Sequence, residues 1–324
     1  MTTPVLSLTG RLLCAAQQAY EIQVTGPAPA SPPTPTPRPS DLVLWYGVPQ
    51  CEAVDDGPRG INAGLVGRTV NNETIVAFRG TEPFNSLDHE RMVLDWIQNF
   101  LLIPLGPSPD VVGSVHQGFS HAVDGLWDWL LQQLGPPNPA RPLYVTGHSK
   151  GGAMANIAAV KLAVHGYTPL VCTFEAARAG DVDFAADFNA KVVNATRWEF
   201  QNDIVPLLPP TDALLQYVKQ LSFLTWLASA AIPSYVPVGD LRFIDWQNNV
   251  VGDTPKLQAQ RAAHLMEELD KLNCGQVIDD HSIAPGSGAA AVICGAIWPP
   301  APSTVPVAAA ASAIGAGAAA GLLR

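Results

Sequence analysis

One short glycine-rich segment constrains this chain more than any other. Residues 147–152 read GHSKGG and contain the pattern G-x-S-x-G. The apolar residues 142–146 before it predict a buried strand, and the alanine-rich residues 153–164 after it predict a helix. A strand–helix turn with this pattern is too tight for bulky residues and lifts its serine to the carboxyl edge of the sheet. The segment therefore predicts a nucleophilic Ser149, although an ordinary glycine-rich turn has the same pattern.

A nucleophilic serine requires a general base and a carboxylate that orients the base. Asp203 lies between an apolar stretch and a Val-Pro turn, which suits a carboxylate at the end of a strand. Two histidines follow it. His281 follows a short apolar run that predicts a strand, and it precedes a Pro-Gly loop, whereas His264 lies in residues 256–272, which predict a helix. The sequence favours Ser149, Asp203 and His281 as a catalytic triad, with His264 as the weaker candidate for the base.

Six short segments, in chain order, resemble those of the fungal-lipase-like, or class 3, lipases. They are residues 76–81, 95–96, 115–119, 173–181, 188–189 and 203–206 with the prolines at 209–210. The resemblance extends from about residue 60 to residue 285. It implies an α/β-hydrolase fold, with a mostly parallel central sheet, helices on both faces and a lid; an apolar cap insert is expected from the composition of residues 212–232.

The same resemblance implies hydrolysis of carboxylic esters, commonly acylglycerols, through an acyl-enzyme. The backbone N–H of Lys150 and the N–H and hydroxyl of Thr81 are expected to form the oxyanion hole. A lipid or small acyl-ester substrate and transient contact with a lipid interface follow. Phospholipase A1 activity and small-ester (feruloyl-type) esterase activity remain alternatives because they use the same triad. A non-catalytic lipid-binding protein on the same fold is a more remote one.

Two positions near the serine depart from the family pattern, and both carry charge. Lys150 follows the serine, where the family usually has an apolar residue, and Glu175 stands where the family usually has glycine. Because consecutive strands often lie side by side, we expect the two to form an ion pair beside the serine turn. The alternative is that both side chains face solvent.

Composition excludes some classes of function. The net charge is −10, and no cluster of cations suggests nucleic-acid binding. Neither a C-x-x-C pair nor an H-E-x-x-H motif occurs in the sequence, and the proposed chemistry needs no metal or organic cofactor. Cys274 and Cys294 flank the His281 loop, where they either pair or remain buried thiols. The oligomeric state is left open.

The chain divides into four parts by composition. Residues 1–24 predict a helix that packs on the domain, residues 25–41 a proline-rich linker or loop, residues 42–295 the α/β-hydrolase domain, and residues 296–324 a loose tail rich in Ala, Gly and Pro. Within the domain, the polar residues 82–94 predict a lid that permits activity on dissolved short-chain esters. Residues 212–232 predict either a core helix or an apolar cap.

The first twenty residues lack the basic start and the unbroken apolar run of a secretory signal. From this we expect a protein that is either cytoplasmic or exported by a route that needs no such signal, and the sequence does not choose between them.

Overall fold

The computed structural model describes residues 7–22, 42–43, 62–69, 72–81, 103–209, 234–271 and 273–295. Several predictions concern segments outside these residues. They are the linker at 25–41, the lid at 82–94, the family segment at 95–96, the apolar insert at 212–232 and the tail at 296–324. The predicted boundaries of the four parts of the chain therefore remain predictions.

A mostly parallel sheet of eight strands forms the centre of the described protein. The strands are Leu42–Val43 (β1), Gly64–Thr69 (β2), Thr74–Phe78 (β3), Leu143–His148 (β6), Pro169–Phe174 (β7), Ala195–Phe200 (β8), Asp240–Ile244 (β9) and Val250–Val251 (β10). They lie in this order across the sheet, with β3, β6, β7, β8 and β9 parallel and the outer strands antiparallel. Two short strands, Leu105–Gly106 (β4) and Val115–His116 (β5), form a separate antiparallel pair.

Helices cover both faces of the sheet. They are Leu8–Gln18 (α1), Gln117–Leu134 (α2), Lys150–Val164 (α3), Val182–Lys191 (α4), Pro255–Asp270 (α5), Cys274–Asp280 (α6) and Gly288–Gly295 (α7). Successive strand residues point to opposite faces. On β3, Val76 and Phe78 therefore pack in one core with α2 to α6, while Ile75 and Ala77 pack in a second core with α1 and α7. The predicted α/β fold is confirmed for the described residues.

The chain before the proline-rich segment is tied to the sheet through α1. Leu12, Leu13 and Ala16 on this helix are buried, and Ser7 caps its start by accepting a hydrogen bond from the Gly10 N–H at 3.1 Å. The hydroxyl of Tyr20 reaches the end of β6, where it meets His148 at 2.7 Å. No helix among those described is long and apolar enough to cross a membrane.

The predicted strand before His281 is wrong, because the segment is the helix α6. Cys274 and Val277, three residues apart, are both buried, and Ile278 is partly buried against the same core, which is helical spacing. An apolar run of two residues is too short to distinguish a helix from a strand. His281 directly follows α6 as its C-terminal cap. No disulfide joins Cys274 to Cys294.

Candidate active site

The turn that carries Ser149 is strained. Ser149 has φ 57° and ψ −128°, a conformation that costs a residue with a side chain about 1–3 kcal/mol. The glycines around it are required by close contacts. A Cβ added to Gly147 would lie 2.3 Å from the Gly151 carbonyl oxygen, and one added to Gly151 would lie 2.2 Å from the Phe78 carbonyl oxygen. The segment thus holds Ser149 between β6 and the start of α3 at an energetic cost.

This strain predicts an unusual order of stability among serine variants. Ser149→Gly should be more stable than Ser149→Ala by about 1 kcal/mol, because relief of the positive φ outweighs the entropy cost of glycine. Both variants lack the hydroxyl, so chemical denaturation of the two compares the backbone alone. Ser120, buried inside α2, is the matched control. There the free energy of unfolding of Ser120→Ala should exceed that of Ser120→Gly by about 1 kcal/mol. If Ala were also the more stable replacement at Ser149, the strain would not be real.

Asp203 and His281 form a buried pair. The Nδ1 of His281 lies 2.9 Å from Oδ2 of Asp203, while Oδ1 of Asp203 accepts the N–H of Val205 at 2.9 Å. Asp203 is 1% exposed and His281 is 6% exposed. The loop is further held by Asp280, whose carboxylate accepts the Asn202 N–H at 3.0 Å. The two residues predicted to be the base and its orienting carboxylate are thus brought together from positions 78 residues apart.

Burial sets the charge of this pair. Burial lowers the pKa of His281 to about 3 and raises the pKa of Asp203, which the Val205 N–H opposes. A neutral imidazole that donates its Nδ1–H to Asp203 keeps Nε2 free of a proton. That is the state in which Nε2 can accept a proton from a serine hydroxyl.

The acidic side of the pH profile should reflect this burial. A histidine base works only when neutral, so the rate falls as the pH drops through its pKa. Because that pKa is lowered from 6.5 toward about 3, we expect kcat/KM at pH 5 to stay close to its value at pH 7. The profile should be measured with a soluble chromogenic ester. As a control, protein held at each acidic pH is returned to pH 7 and assayed again, which separates unfolding from titration. Loss of half the activity near pH 6.5 would contradict this expectation.

The pair lies beside the serine turn. The ring of His148, the residue before Ser149, is 4.5 Å from the ring of His281 between centroids, with a tilt of 32°. His148 also contacts the backbone carbonyl of His281 at 2.8 Å through Nε2. His264 is elsewhere, on α5, where its ring stacks on Trp246 at 3.8 Å. The structure therefore brings His281, and not His264, to Asp203 and to the serine turn.

The predicted oxyanion residues flank this turn. Lys150 is the first residue of α3, and the exposed Thr81 follows β3 by three residues. The end of β3 adjoins the turn closely, since a Cβ added to Gly80 would lie 2.8 Å from the His148 carbonyl oxygen.

The predicted ion pair between Lys150 and Glu175 is wrong. The Lys150 ammonium donates to Asn62 at 3.0 Å, whereas the buried Glu175 carboxyl contacts His148 Nε2 at 3.2 Å, and no ion pair among the described residues joins the two. Glu175 follows Phe174, which pairs with His148 across β6 and β7. This register turns Glu175 toward His148, while Lys150 has already entered α3.

One cluster within the described ranges has the composition of a metal site. The side chains of His148, Glu175 and His281 offer ligand atoms within 4.8 Å of one another. The His148 nitrogens already contact Tyr20, Glu175 and a backbone carbonyl. Nε2 must carry a hydrogen to contact a carbonyl oxygen, and the lone pair of Nδ1 is used by the Tyr20 hydroxyl. Because neither nitrogen of His148 is left for a metal, the cluster is better explained as a hydrogen-bonded network. Tyr20, which follows α1, was not predicted from the sequence to be part of this site.

Part of the chain is similar to a known protein family. Residues 75–213 match the class 3 lipase family. The similarity to this family covers less than half of the chain. It is 27% identical over 213 residues to a lipase from Caenorhabditis elegans, covering 64% of this chain, and 27% identical over 225 residues to a secreted mono- and diacylglycerol lipase from Fusarium solani, covering 67%. These matches cover 56% and 63% of the two relatives, so the chain spans less than two thirds of the length of either.

The fold has counterparts among solved structures. The triacylglyceride lipase of Rhizomucor miehei superposes with a TM-score of 0.53 at 21% identity, over 76% of this chain and 82% of that enzyme. At this level of identity the likeness concerns the fold. The described residues therefore share the sheet and helix arrangement of this fungal lipase.

Proposed function

We propose that this protein hydrolyses carboxylic esters of lipids through an acyl-enzyme at Ser149. The observation that carries the proposal is the buried His281–Asp203 pair, joined at 2.9 Å, beside a serine held in a strained turn. Strain and burial both oppose folding, and they recur where a reacting group must be fixed in position. The similarity of residues 75–213 to the class 3 lipase family supports the same reaction.

Acylation begins with attack of the Ser149 Oγ on the ester carbonyl carbon. Nε2 of His281 takes the hydroxyl proton as the C–O bond forms, and Asp203 stabilises the resulting imidazolium through Nδ1–H. The same proton then passes to the departing alkoxide, which leaves as an alcohol. In deacylation, His281 takes a proton from water, the hydroxide attacks the acyl carbon, and Ser149 leaves with its proton restored.

The negative oxygen of each tetrahedral intermediate needs donors. We assign this role to the backbone N–H of Lys150, at the N-terminus of α3, and to the N–H and hydroxyl of Thr81. A helix N-terminus favours negative charge, and the N–H after the nucleophile is the usual donor of such turns. Removal of one oxyanion donor typically lowers kcat by about 10²–10³-fold.

Acylglycerols are the substrate class that we propose. The named activities of two relatives, a mono- and diacylglycerol lipase and a triacylglyceride lipase, support this assignment. The segments expected to select the substrate, residues 82–94 and 212–232, lie outside the described residues.

The test is a panel of esters given to the intact chain and to Ser149→Ala: emulsified mono-, di- and triacylglycerols, a phosphatidylcholine vesicle, and dissolved short-chain and feruloyl esters. We expect Ser149-dependent release of fatty acid to be fastest from acylglycerols, together with measurable turnover of dissolved short esters. Faster turnover of the phospholipid or of the feruloyl ester would show that acylglycerols are not the preferred substrate class. Absence of turnover on every ester would favour a lipid-binding protein without catalysis.

A further inference from the structure

Glu175 is a buried carboxyl that the proposed reaction does not use. It is 1% exposed and has φ 49°, although it is not glycine. Burial of a carboxyl and a positive φ each oppose folding, the second by about 1–3 kcal/mol. The family usually has glycine at this position, where the backbone conformation would cost little. A residue with two such costs beside the candidate triad calls for a role in the site.

The contacts of Glu175 lead to His281 through one ring. His148 Nε2 lies 3.2 Å from Oε2 of Glu175 and 2.8 Å from the backbone carbonyl oxygen of His281. On the other side of the ring, Nδ1 lies 2.7 Å from the hydroxyl of Tyr20. These atoms belong to four separate parts of the chain, which meet at the end of β6.

Only one tautomer of His148 satisfies these contacts. A carbonyl oxygen only accepts, so Nε2 must carry the hydrogen and donate it to the His281 carbonyl, with Oε2 of Glu175 as a second acceptor. Nδ1 then accepts the hydroxyl hydrogen of Tyr20. Burial, and next the nearby His281, lower the pKa of His148 well below its usual value. The ring is therefore neutral and adds no positive charge that would oppose the imidazolium of His281.

We propose that Glu175 is a positioning residue for His281, an inference that rests on the proposed triad. Glu175 and Tyr20 fix the ring and tautomer of His148, and His148 Nε2–H fixes the backbone carbonyl of His281. His281 is thereby held at two points, by Asp203 at its ring and by His148 at its backbone. A displacement of a catalytic group by about 1 Å can lower the rate about 10²-fold. A second point of attachment therefore keeps Nε2 of His281 more accurately positioned toward Ser149.

The experiment compares kcat and KM of Glu175→Ala, Glu175→Gln and Tyr20→Phe on one soluble ester. Alanine keeps the strained φ that glycine would relieve, so the change removes the carboxyl and its methylene without relaxing the backbone. We expect kcat to fall about 10-fold in Glu175→Ala and in Tyr20→Phe, with KM within about twofold. Gln retains an oxygen that accepts from Nε2–H, so Glu175→Gln should recover kcat to within about threefold.

Cys172→Ala is the matched control, because Cys172 is also buried on β7 but packs in the core on the other side of the sheet from α3. Unchanged kcat in Glu175→Ala, or an equal loss in Cys172→Ala, would overturn the positioning role. If Glu175→Ala fails to fold, Tyr20→Phe decides the matter by the same criteria. Labelling of wild-type Ser149 by a phosphonate ester separates the two proposals: failure to label would overturn the triad and the positioning role, whereas normal labelling with unchanged kcat would overturn only the latter.

Discussion

Replacement of Ser149 by alanine is expected to lower kcat for ester hydrolysis by about 10⁶-fold, the usual effect of removing the nucleophile from a serine hydrolase triad. The acyl-enzyme proposed at Ser149 can then no longer form. The residual rate would come from binding of the ester and from the oxyanion donors alone. The strained backbone at Ser149 is kept by alanine, so the fold and its unfolding midpoint should change little. The rate should be measured with a chromogenic acyl ester at saturating concentration.

Ser120→Ala is the control for this experiment. Ser120 is 1% exposed and its hydroxyl bonds to that of Ser108 at 2.8 Å, so its loss also removes a buried hydroxyl, but away from the site. Its kcat should remain near that of the wild type. A correctly folded Ser149→Ala protein with near-normal turnover would contradict the proposed mechanism as a whole.

Replacement of His281 by alanine is expected to have an effect of the same order, about 10⁶-fold in kcat, because the serine then has no base. The ring is held by Asp203 at 2.9 Å and is neutral in the resting protein, which are the two properties the base requires. Turnover should be compared at pH 7 with circular dichroism spectra of both proteins, so that a loss of rate is assigned to chemistry.

His264→Ala supplies the matched comparison, since His264 was the other candidate from the sequence. Its ring stacks on Trp246, so its removal should weaken packing but leave kcat unchanged. A loss of activity in His264→Ala with retention in His281→Ala would reverse the assignment of the base.

The parts of the site that the sequence predicts are those with strong local constraints. The strand, the glycine pattern and the helix around Ser149 are contiguous in the sequence. Glycine is required at Gly147, Gly151 and Gly152 because a Cβ added to any of them would lie within 3 Å of a neighbouring atom. Asp203 is marked by its place after β8 and before the prolines. The central sheet was predicted from the resemblance to a known family. Its strands are apolar because they are buried on both faces, as for Ile75 and Val76 on opposite faces of β3.

The remaining features depend on tertiary contacts that local patterns do not encode. The helix α6 was predicted as a strand because its apolar run is short, and its helical character comes from packing of Cys274 and Val277 on the core. Glu175 and Lys150 stood out as departures from the family, yet opposite charge alone suggested the wrong partners. The register of β6 and β7 decides which neighbour Glu175 meets, and that register is visible only in the structure.

The most direct test of the proposed mechanism is covalent labelling with a p-nitrophenyl alkylphosphonate. Attack of a nucleophilic Oγ on phosphorus expels p-nitrophenolate and leaves a stable phosphonyl ester, which mass spectrometry locates after proteolysis. The mechanism predicts one phosphonyl group per chain, on Ser149, with loss of ester hydrolysis in proportion to labelling and no adduct in Ser149→Ala. An adduct on another residue, or full ester turnover by protein that does not react, would contradict it.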